Sequence, residues 1–559
     1  MRDAGGAEAS AGARGLRVLP WLAFALGVAP LVLGGFPAGH DWLYELVRVA
    51  EYRAAVEAGQ LPPYWSENLY AGYGSPVFTF YAPLFSAGAA LFSEVIGTVT
   101  GGATALLVLA SALSVFTVRS FLADLLETCG ARDAAAARVG TVFFVLHPYV
   151  LGDKLVRNAD AEFLALCLAP IALRGVTLAQ RRPLAGFVGV SAGLALVVLA
   201  HNLTALVTVA FVIGAGVALY GVRERRAWGV ILAGVGAGLA LSAFFWLPAL
   251  ALTGLIRPEE LLRGKLDFHR QFPPLEKIFW YVRFFATGLA TPVALVAGAV
   301  AVVRFPAQRR VLVSLLAASC VLLFLQTRAS ELVWEVAPAL PFFQFPWRMM
   351  GPLAWVASAL AAFVFSGALA GASPKRRAWV ELAAFALLVL NALPILSQYA
   401  PFPSGLARMV PAFVSPENIR RGAETVTLGD EYLPRASNLA VWHEQRPIEG
   451  PVVSANAAVK WRTVADGGTR IELETSSPSA ARLRLARFAW PDWRLEVDGA
   501  ERVFVPNAVG TLEVEVPAGE ARVRVWLEPP PLRRAAQWIS LVSLAAWLTA
   551  LFVGYVQRR

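Results

Sequence analysis

Charge, cysteine and histidine are all scarce in this chain. Only 16% of the 559 residues are Asp, Glu, Lys or Arg, against 57% hydrophobic. That balance excludes a set of water-soluble domains and leaves a polytopic membrane protein. The three cysteines, Cys129, Cys167 and Cys320, are far apart, form no CxxC pair and have no ligand spacing, which argues against a disulfide framework or a zinc site. The sequence holds no phosphate-binding P-loop, dinucleotide fingerprint or HExxH, so an ATP-driven pump and a soluble nucleotide-bound donor find no support. Gly234, Gly236 and Gly238 imitate a nucleotide turn but lie in an apolar helix, where close helix packing is the better reading. The excess of 49 basic over 39 acidic residues sits in short clusters between apolar stretches (Arg181 and Arg182, Arg223 to Arg226, Arg309 and Arg310, Lys375 to Arg377). Such clusters report membrane topology, not nucleic-acid binding.

What the chain does have is apolar length. Stretches long enough to cross a bilayer run at about 18–36, 103–122, 184–200, 203–222, 227–252, 285–303, 311–327, 349–371, 378–396 and 535–556, with two shorter ones at 139–152 and 163–180. The total is about twelve crossings by the hydropathy rule. A further apolar run at 77–92 would invert every later loop if it crossed. Reading 77–97 as re-entrant or lying along the membrane puts the basic clusters on the side of the N-terminus, as the positive-inside rule asks. The expected order is a disordered cytoplasmic N-terminus (1–17), a transmembrane domain (18–400) with an outer loop at 40–97, an extracytoplasmic, mainly β domain (401–534), and a final helix with a cytoplasmic tail (535–559). Within 401–534 a period of two recurs at 470–474, 481–488, 493–497, 511–516 and 521–527. With Asp498-Gly499 as a turn, this predicts a small antiparallel β-sandwich-like domain.

The most chemically committed run is 40–76. Asp41, preceded by His40 and followed by Trp42, stands where the first apolar span ends; an acid there is either an ordinary solvated helix-end residue or, at head-group depth, a functional one. An amphipathic helix follows, with Leu43, Leu46, Val47, Ala50 and Ala54 on one face, Glu45, Arg48, Glu51 and Arg53 largely off it, and Glu45 one turn from Asp41. Pro62 and Pro63 end it, and the aromatic, glycine-rich stretch from Tyr64 to Gly74 suits a loop lying at a membrane surface. A second constellation spans 153–162. Asp160 and Glu162 can bind a cation or orient a substrate, and Arg157 or Lys154 can pair with phosphate; a solvated loop with internal ion pairs fits the same residues. His201 and Asn202 tip a helical hairpin, where a His can donate to a phosphate or only make the turn. Arg348 follows the proline-broken PFFQFPW and suits phosphate recognition or simple snorkelling. Trp490 and Trp493 are core or sugar-stacking residues.

Taken in order, HDW, PPYW…GYGSPVFTFYAPL, RNADAEF, AHN and FPWR before a terminal β domain resemble the GT-C class of membrane glycosyltransferases. More closely they resemble the bacterial membrane proteins labelled 6-pyruvoyl-tetrahydropterin synthase-related and the neighbouring YfhO-like group. The soluble synthase of that label uses a histidine cluster; the five histidines here, His40, His147, His201, His269 and His443, have no such spacing. The resemblance implies a GT-C-like fold of about twelve transmembrane helices in a bacterial inner membrane, with both termini cytoplasmic. It implies an inverting transfer of sugar from a polyprenyl-phosphate donor to a glycan, lipid or protein acceptor on the outer face, without nucleic acid. Asp41 then corresponds to the catalytic acid of the first outer loop, and Asp160 and Glu162 to the second acidic motif. Asp-Ala-Glu stands where metal-dependent members have DxD, so a divalent cation (Mg or Mn) held by Asp41, Asp160 and Glu162 is an open cofactor. His40, Glu45, Arg157, His201, Asn202 and Arg348 are the substrate-binding set, with Arg157, Arg348 and His201 at the phosphate. Rival readings are a transporter or flippase of a lipid-linked saccharide and a non-enzymatic envelope assembly protein.

Overall fold

The computed structural model describes residues 15–273, 288–421, 430–438, 450–504 and 506–556. Of the expected disorder at 1–17, residues 1–14 lie outside the described residues, as do the start of the 285–303 stretch and the end of the C-terminal tail, whereas 15–17 are already helical. The chain is a multi-pass membrane protein, mostly helical, with a C-terminal β domain. Among the described residues nine helices are long and apolar enough to cross a bilayer. Two bent pairs, Ala134–Val145 with Pro148–Arg157 (43°) and Arg225–Leu241 with Ala243–Ala251 (75°), raise the number to eleven if each is one span. The remaining expected stretch is represented by Ala290–Arg304, with 15 residues. Pro148 accounts for the first break, and Ser242, bonded back to the Gly238 carbonyl at 2.9 Å, stands at the second.

The helix Leu16–Gly34 begins just before the apolar stretch predicted for it. In the 77–97 region the chain forms Val77–Phe80, an extended residue at Tyr81, and Leu84–Ile96. At 13 residues the latter is shorter than a full crossing, and Gly97 in the left-handed region (φ 85°) turns it back against Val99–Thr128. Helices Asp160–Leu178 and Pro183–Ala200 pack backbone to backbone. A Cβ on Gly189 would lie 2.7 Å from the Gly175 Cα, so glycine is required for the approach. Of the glycine triplet, Gly234 packs on Val190 and Gly238 on the Ser191 carbonyl, whereas Gly236 faces open space.

The β domain is made of two antiparallel sheets. One has the order β1 (Val452–Ala455), β4 (Ala481–Phe488), β7 (Thr511–Val516); the other has β2 (Lys460–Gly467), β3 (Arg470–Ser477), β8 (Gly519–Leu527), β5 (Trp493–Val497), β6 (Ala500–Arg502). Alternation drives them: Leu483, Leu485, Val514, Val516, Ile471, Leu473, Val523 and Val525 point into the core, none more than 1% exposed. Asp498 and Gly499, both at positive φ, form the predicted turn between β5 and β6. Trp490 and Trp493 are 6% and 3% exposed, so they serve the core.

Two features of 40–76 emerge only in the structure. The helix Trp42–Glu57 is buried on its charged side as well as its apolar one: Glu45, Arg48 and Glu51 are 3%, 4% and 1% exposed. Glu51 accepts from the Ser66 hydroxyl (2.5 Å), the Asn68 amide nitrogen (2.8 Å) and the Asn68 backbone N–H (3.2 Å), and so fixes the following loop. That loop is clamped against the β domain. Trp65, fully buried, meets Trp493 edge-on at 5.6 Å; Tyr73 stacks on Phe488 at 5.1 Å. Arg487 donates to the Gly72 carbonyl (3.0 Å) and the Phe488 N–H to that of Tyr73 (2.9 Å). The aromatic residues have their apolar partners in the β domain.

Candidate functional site

Two segments far apart in sequence are fastened together at the ends of the first helix and of the bent pair Ala134–Val145 with Pro148–Arg157. Residues Asp153–Arg157 form one π-helical turn that Asn158, at φ 55°, terminates. Against it lies the stretch 39–41. The Asn158 side-chain oxygen accepts from the Gly39 N–H (2.8 Å), the Val156 carbonyl from that of His40 (3.0 Å) and the Arg157 carbonyl from that of Asp41 (2.9 Å). A Cβ on Gly39 would strike the Asn158 side chain and the Val156 carbonyl, so glycine is needed here. Asp41 is thereby held beside the 153–162 constellation.

The result is a pocket of about 150 Å³ lined by Asp41, Tyr44, Glu45, Arg48, Tyr81, Ala159, Ala161, Glu162, His201, Leu261, Leu266, Gln344, Phe345, Arg348 and Glu431. Five sequence-predicted residues line it together: Asp41, Glu45, Glu162, His201 and Arg348. Arg157 stands behind Glu162, Asp160 is buried beside the pocket, Asn202 lines the adjoining groove, and His40 is exposed and contributes through its backbone.

Glu45 is ion-paired with Arg48, whose guanidinium lies 4.0 Å from the Tyr81 ring centroid, and the Tyr81 hydroxyl donates to Glu45 at 3.3 Å. Burial raises the Glu45 carboxyl above its ordinary value; Arg48 opposes that and Asp41 adds to it. Asp160 is fully buried, with neither carboxyl oxygen hydrogen-bonded, and the charges it feels are those of Glu45, Arg48, Asp41 and Asp153. On the opposite side Glu162 accepts from the Tyr149 hydroxyl at 2.6 Å and lies 3.5 Å from both Arg157 and Arg348. Arg157 is paired with Asp153 and packed 4.3 Å over the Trp347 ring. Arg348 reaches the Phe343 carbonyl at 3.2 Å and the Gln344 side-chain oxygen at 3.5 Å. His201 caps the helix Asn202–Tyr220 by accepting the Thr204 N–H on Nδ1 at 3.3 Å, which leaves the ring proton on Nε2. Burial pushes its pKa down to about 4, Glu162 works against that, and Arg348 and Arg157 add to it. The imidazole is neutral at pH 7 and is a hydrogen-bond donor.

The pocket thus has a carboxylate side (Asp41, Glu45, with Asp160 beside it) and a hydrogen-bond donor side (Arg348 and the neutral His201, with Arg157 behind). Asp41, Asp160 and Glu162 do not converge as a metal site. Among the described residues no group of three His, Cys, Asp or Glu side chains could hold an ion, and the cations beside Glu162 are guanidiniums. Lys154, the other basic residue of the constellation, faces away, donating to the Ser111 hydroxyl at 3.0 Å in the helix interior. Tyr81, His201, Leu261, Gln344, Arg348 and Glu431 also line a second, largely apolar groove of about 550 Å³, walled by Phe80, Leu203, Leu206, Val209, Trp246 and Leu250.

Sequence reasoning missed Tyr44, Tyr81, Gln344 and Glu431. Glu431 comes from the stretch 430–438, next to Tyr432, which stacks on Phe80 at 6.2 Å. Its carbonyl accepts the Arg257 N–H at 3.0 Å. No periodicity marks this stretch. Gln344 is marked only in the structure: like Asn158 and Asp430 it is a non-glycine residue at positive φ, and such strained positions cluster at functional sites.

No family model matches the chain, and no curated protein does. Among solved structures, it is similar to the oligosaccharyltransferase AglB from Archaeoglobus fulgidus. In complex with an inhibitory peptide and a dolichol-phosphate, the match has 13% identity, 70% of this chain and 56% of that one, and TM-score 0.43. In complex with Zn and sulfate, it has 12% identity, 69% and 54%, and TM-score 0.43. It is also similar to the arabinofuranosyltransferase AftD from Mycobacteria, with 22% identity over 71% of this chain and 27% of that one, TM-score 0.45. The chain spans about half the length of the archaeal enzyme it matches. At these values the similarity bears on neither reaction nor substrate.

Proposed function

We propose that the protein is a GT-C-type inverting glycosyltransferase that moves a sugar from a polyprenyl-phosphate donor to an acceptor on the outer face of the membrane. Kinship with the 6-pyruvoyl-tetrahydropterin synthase-related and YfhO-like membrane proteins belongs to the same reading. The observation that carries it is the joining of a small polar pocket to a long apolar groove through shared residues. A phosphate with a polyprenyl tail has that division: head at Arg348 and His201, tail along Phe80, Leu206 and Trp246. In the reaction Asp41 takes the proton of the acceptor hydroxyl as its oxygen bonds to the anomeric carbon. The bond from that carbon to the phosphate oxygen breaks on the opposite face, and polyprenyl phosphate leaves with its electron pair. Arg348 and the Nε2–H of His201 stabilise that anion, while Glu162 and Arg157 hold Arg348 in place. Glu431 and Glu45 accept hydrogen bonds from sugar or acceptor hydroxyls. No step is routed through a metal.

The test is release of polyprenyl phosphate from a radiolabelled polyprenyl-phosphate sugar by the full chain in detergent. Removing a general base costs about 10²- to 10⁴-fold, so Asp41→Asn is expected to lower the rate by that factor with donor binding retained. An unchanged rate rejects Asp41 as base. Movement of intact donor across a vesicle membrane, without cleavage, supports a flippase instead.

A further inference from the structure

On the half of the membrane domain away from the candidate pocket there is a second apolar groove, of about 290 Å³, between the helices Asn202–Tyr220 and Arg309–Phe324, with Trp355 on its lining. The helix Asn202–Tyr220 starts beside His201, and its residues on the groove, 210 to 219, fall in the half remote from that end. The groove opens sideways: Ala210, Gly214 and Val321 on its walls are exposed. A Cβ added to Gly214 would meet nothing within 4 Å, so the space is real at that point. The groove's volume of about 290 Å³ leaves room for a segment of an acyl chain.

A basic cluster lies beside the end of the groove lined by Leu219 and Val311. Arg310, exposed, reaches across from the first turn of its helix to donate to the Val217 carbonyl at 2.5 Å, and Arg309, Arg223, Arg225 and Arg226 are exposed at the same end. The nearby acids Asp124 and Glu127 are already paired, with Arg174 at 2.6 Å and Arg181 at 3.1 Å, and Glu224 adds a single negative charge. We propose that this groove is a binding site for one anionic phospholipid of the leaflet opposite the pocket, with an acyl chain between the two helices and its phosphate against Arg310. The groove supplies the chain site, and the uncompensated arginines supply the head-group preference.

The experiment is native mass spectrometry of the full chain in mild detergent. Delipidated protein is titrated with dioleoyl-phosphatidylglycerol and, separately, with dioleoyl-phosphatidylcholine. One phosphatidylglycerol per chain is expected, preferred over phosphatidylcholine by about fivefold, as one arginine near a head group provides. Gly214→Leu, which occupies open space and suits a helix better than glycine, is expected to abolish retention of both lipids. Arg310→Gln is expected to keep weak binding and lose the preference. Gly229→Leu, on another exposed helix face with nothing within 4 Å, serves as the control and is expected to bind like wild type. Equal binding of the two lipids, or undiminished retention by Gly214→Leu, overturns the proposal. Arg310→Gln, an exposed change, also bears on the proposal independently of how Gly214→Leu folds: an intact preference in it overturns the head-group assignment.

Discussion

Arg348→Ala is the perturbation with the largest expected effect on ligand affinity and the smallest on the fold. Arg348 is 17% exposed at its side chain and is held by long contacts: the Phe343 carbonyl at 3.2 Å, the Gln344 oxygen and Glu162 both at 3.5 Å. Its charge is therefore available to a ligand. Removing it does not strand Glu162, which keeps the Tyr149 hydroxyl at 2.6 Å and Arg157 at 3.5 Å. What disappears is the charge-assisted bonding to a phosphate, about 1.5–3 kcal/mol, or about 10- to 100-fold in affinity. Displacement of a fluorescent polyprenyl phosphate from purified protein measures it, with the thermal midpoint read in parallel. Arg348→Lys is expected to recover part of the loss, because a point charge remains without the fork. Wild-type affinity in Arg348→Ala with an unchanged midpoint refutes the assignment of the phosphate to this arginine.

Three other outcomes follow from the same geometry. Gly39→Ala puts a methyl into the Asn158 side chain and the Val156 carbonyl; donor cleavage is expected to fall with a lowered midpoint, since Asp41 hangs on those hydrogen bonds. Trp65→Ala empties a fully buried site against Trp493, a loss of about 3–5 kcal/mol from the contact between loop and β domain; faster hydrogen exchange in 64–76 and β5 reports it. For His201, a folded pKa near 4 against about 6.5 when unfolded means the unfolded chain binds more protons between those values. Its contribution is present above pH 6.5 and lost as pH falls through about 4. His201→Asn, which can still cap the helix, is expected to lose less thermal stability than wild type between pH 7.5 and 4.5.

The fold was legible where one physical signal dominated. Apolar length marked the nine helices that are long and apolar enough to cross a bilayer among the described residues, because a bilayer demands it, and period-two alternation marked five of the eight described strands; β1, β2 and β6, short or exposed, lack the pattern. Asp41, Glu162, His201 and Arg348 were found because polar residues at the ends of apolar spans stand out. What stayed hidden depends on tertiary contact. Nothing in Tyr64 to Gly74 says whether an aromatic loop meets lipid or the underside of a β domain, and both bury the same rings. Glu45 and Arg48 read as an outward face because they neutralise each other only once Tyr81 covers them. Glu431 reaches the pocket from more than 220 residues beyond His201, and no local pattern announces it.

The central claim is that the polar pocket and the apolar groove hold one ligand, head and tail. Its most direct test is a cryo-EM structure of the full chain with bound polyprenyl phosphate. The account predicts density for the phosphate between Arg348 and His201, within hydrogen-bond reach of both, and for the chain along Phe80, Leu206 and Trp246. A phosphate bound elsewhere, with the pocket lined by Asp41 and Glu162 left unchanged, contradicts it.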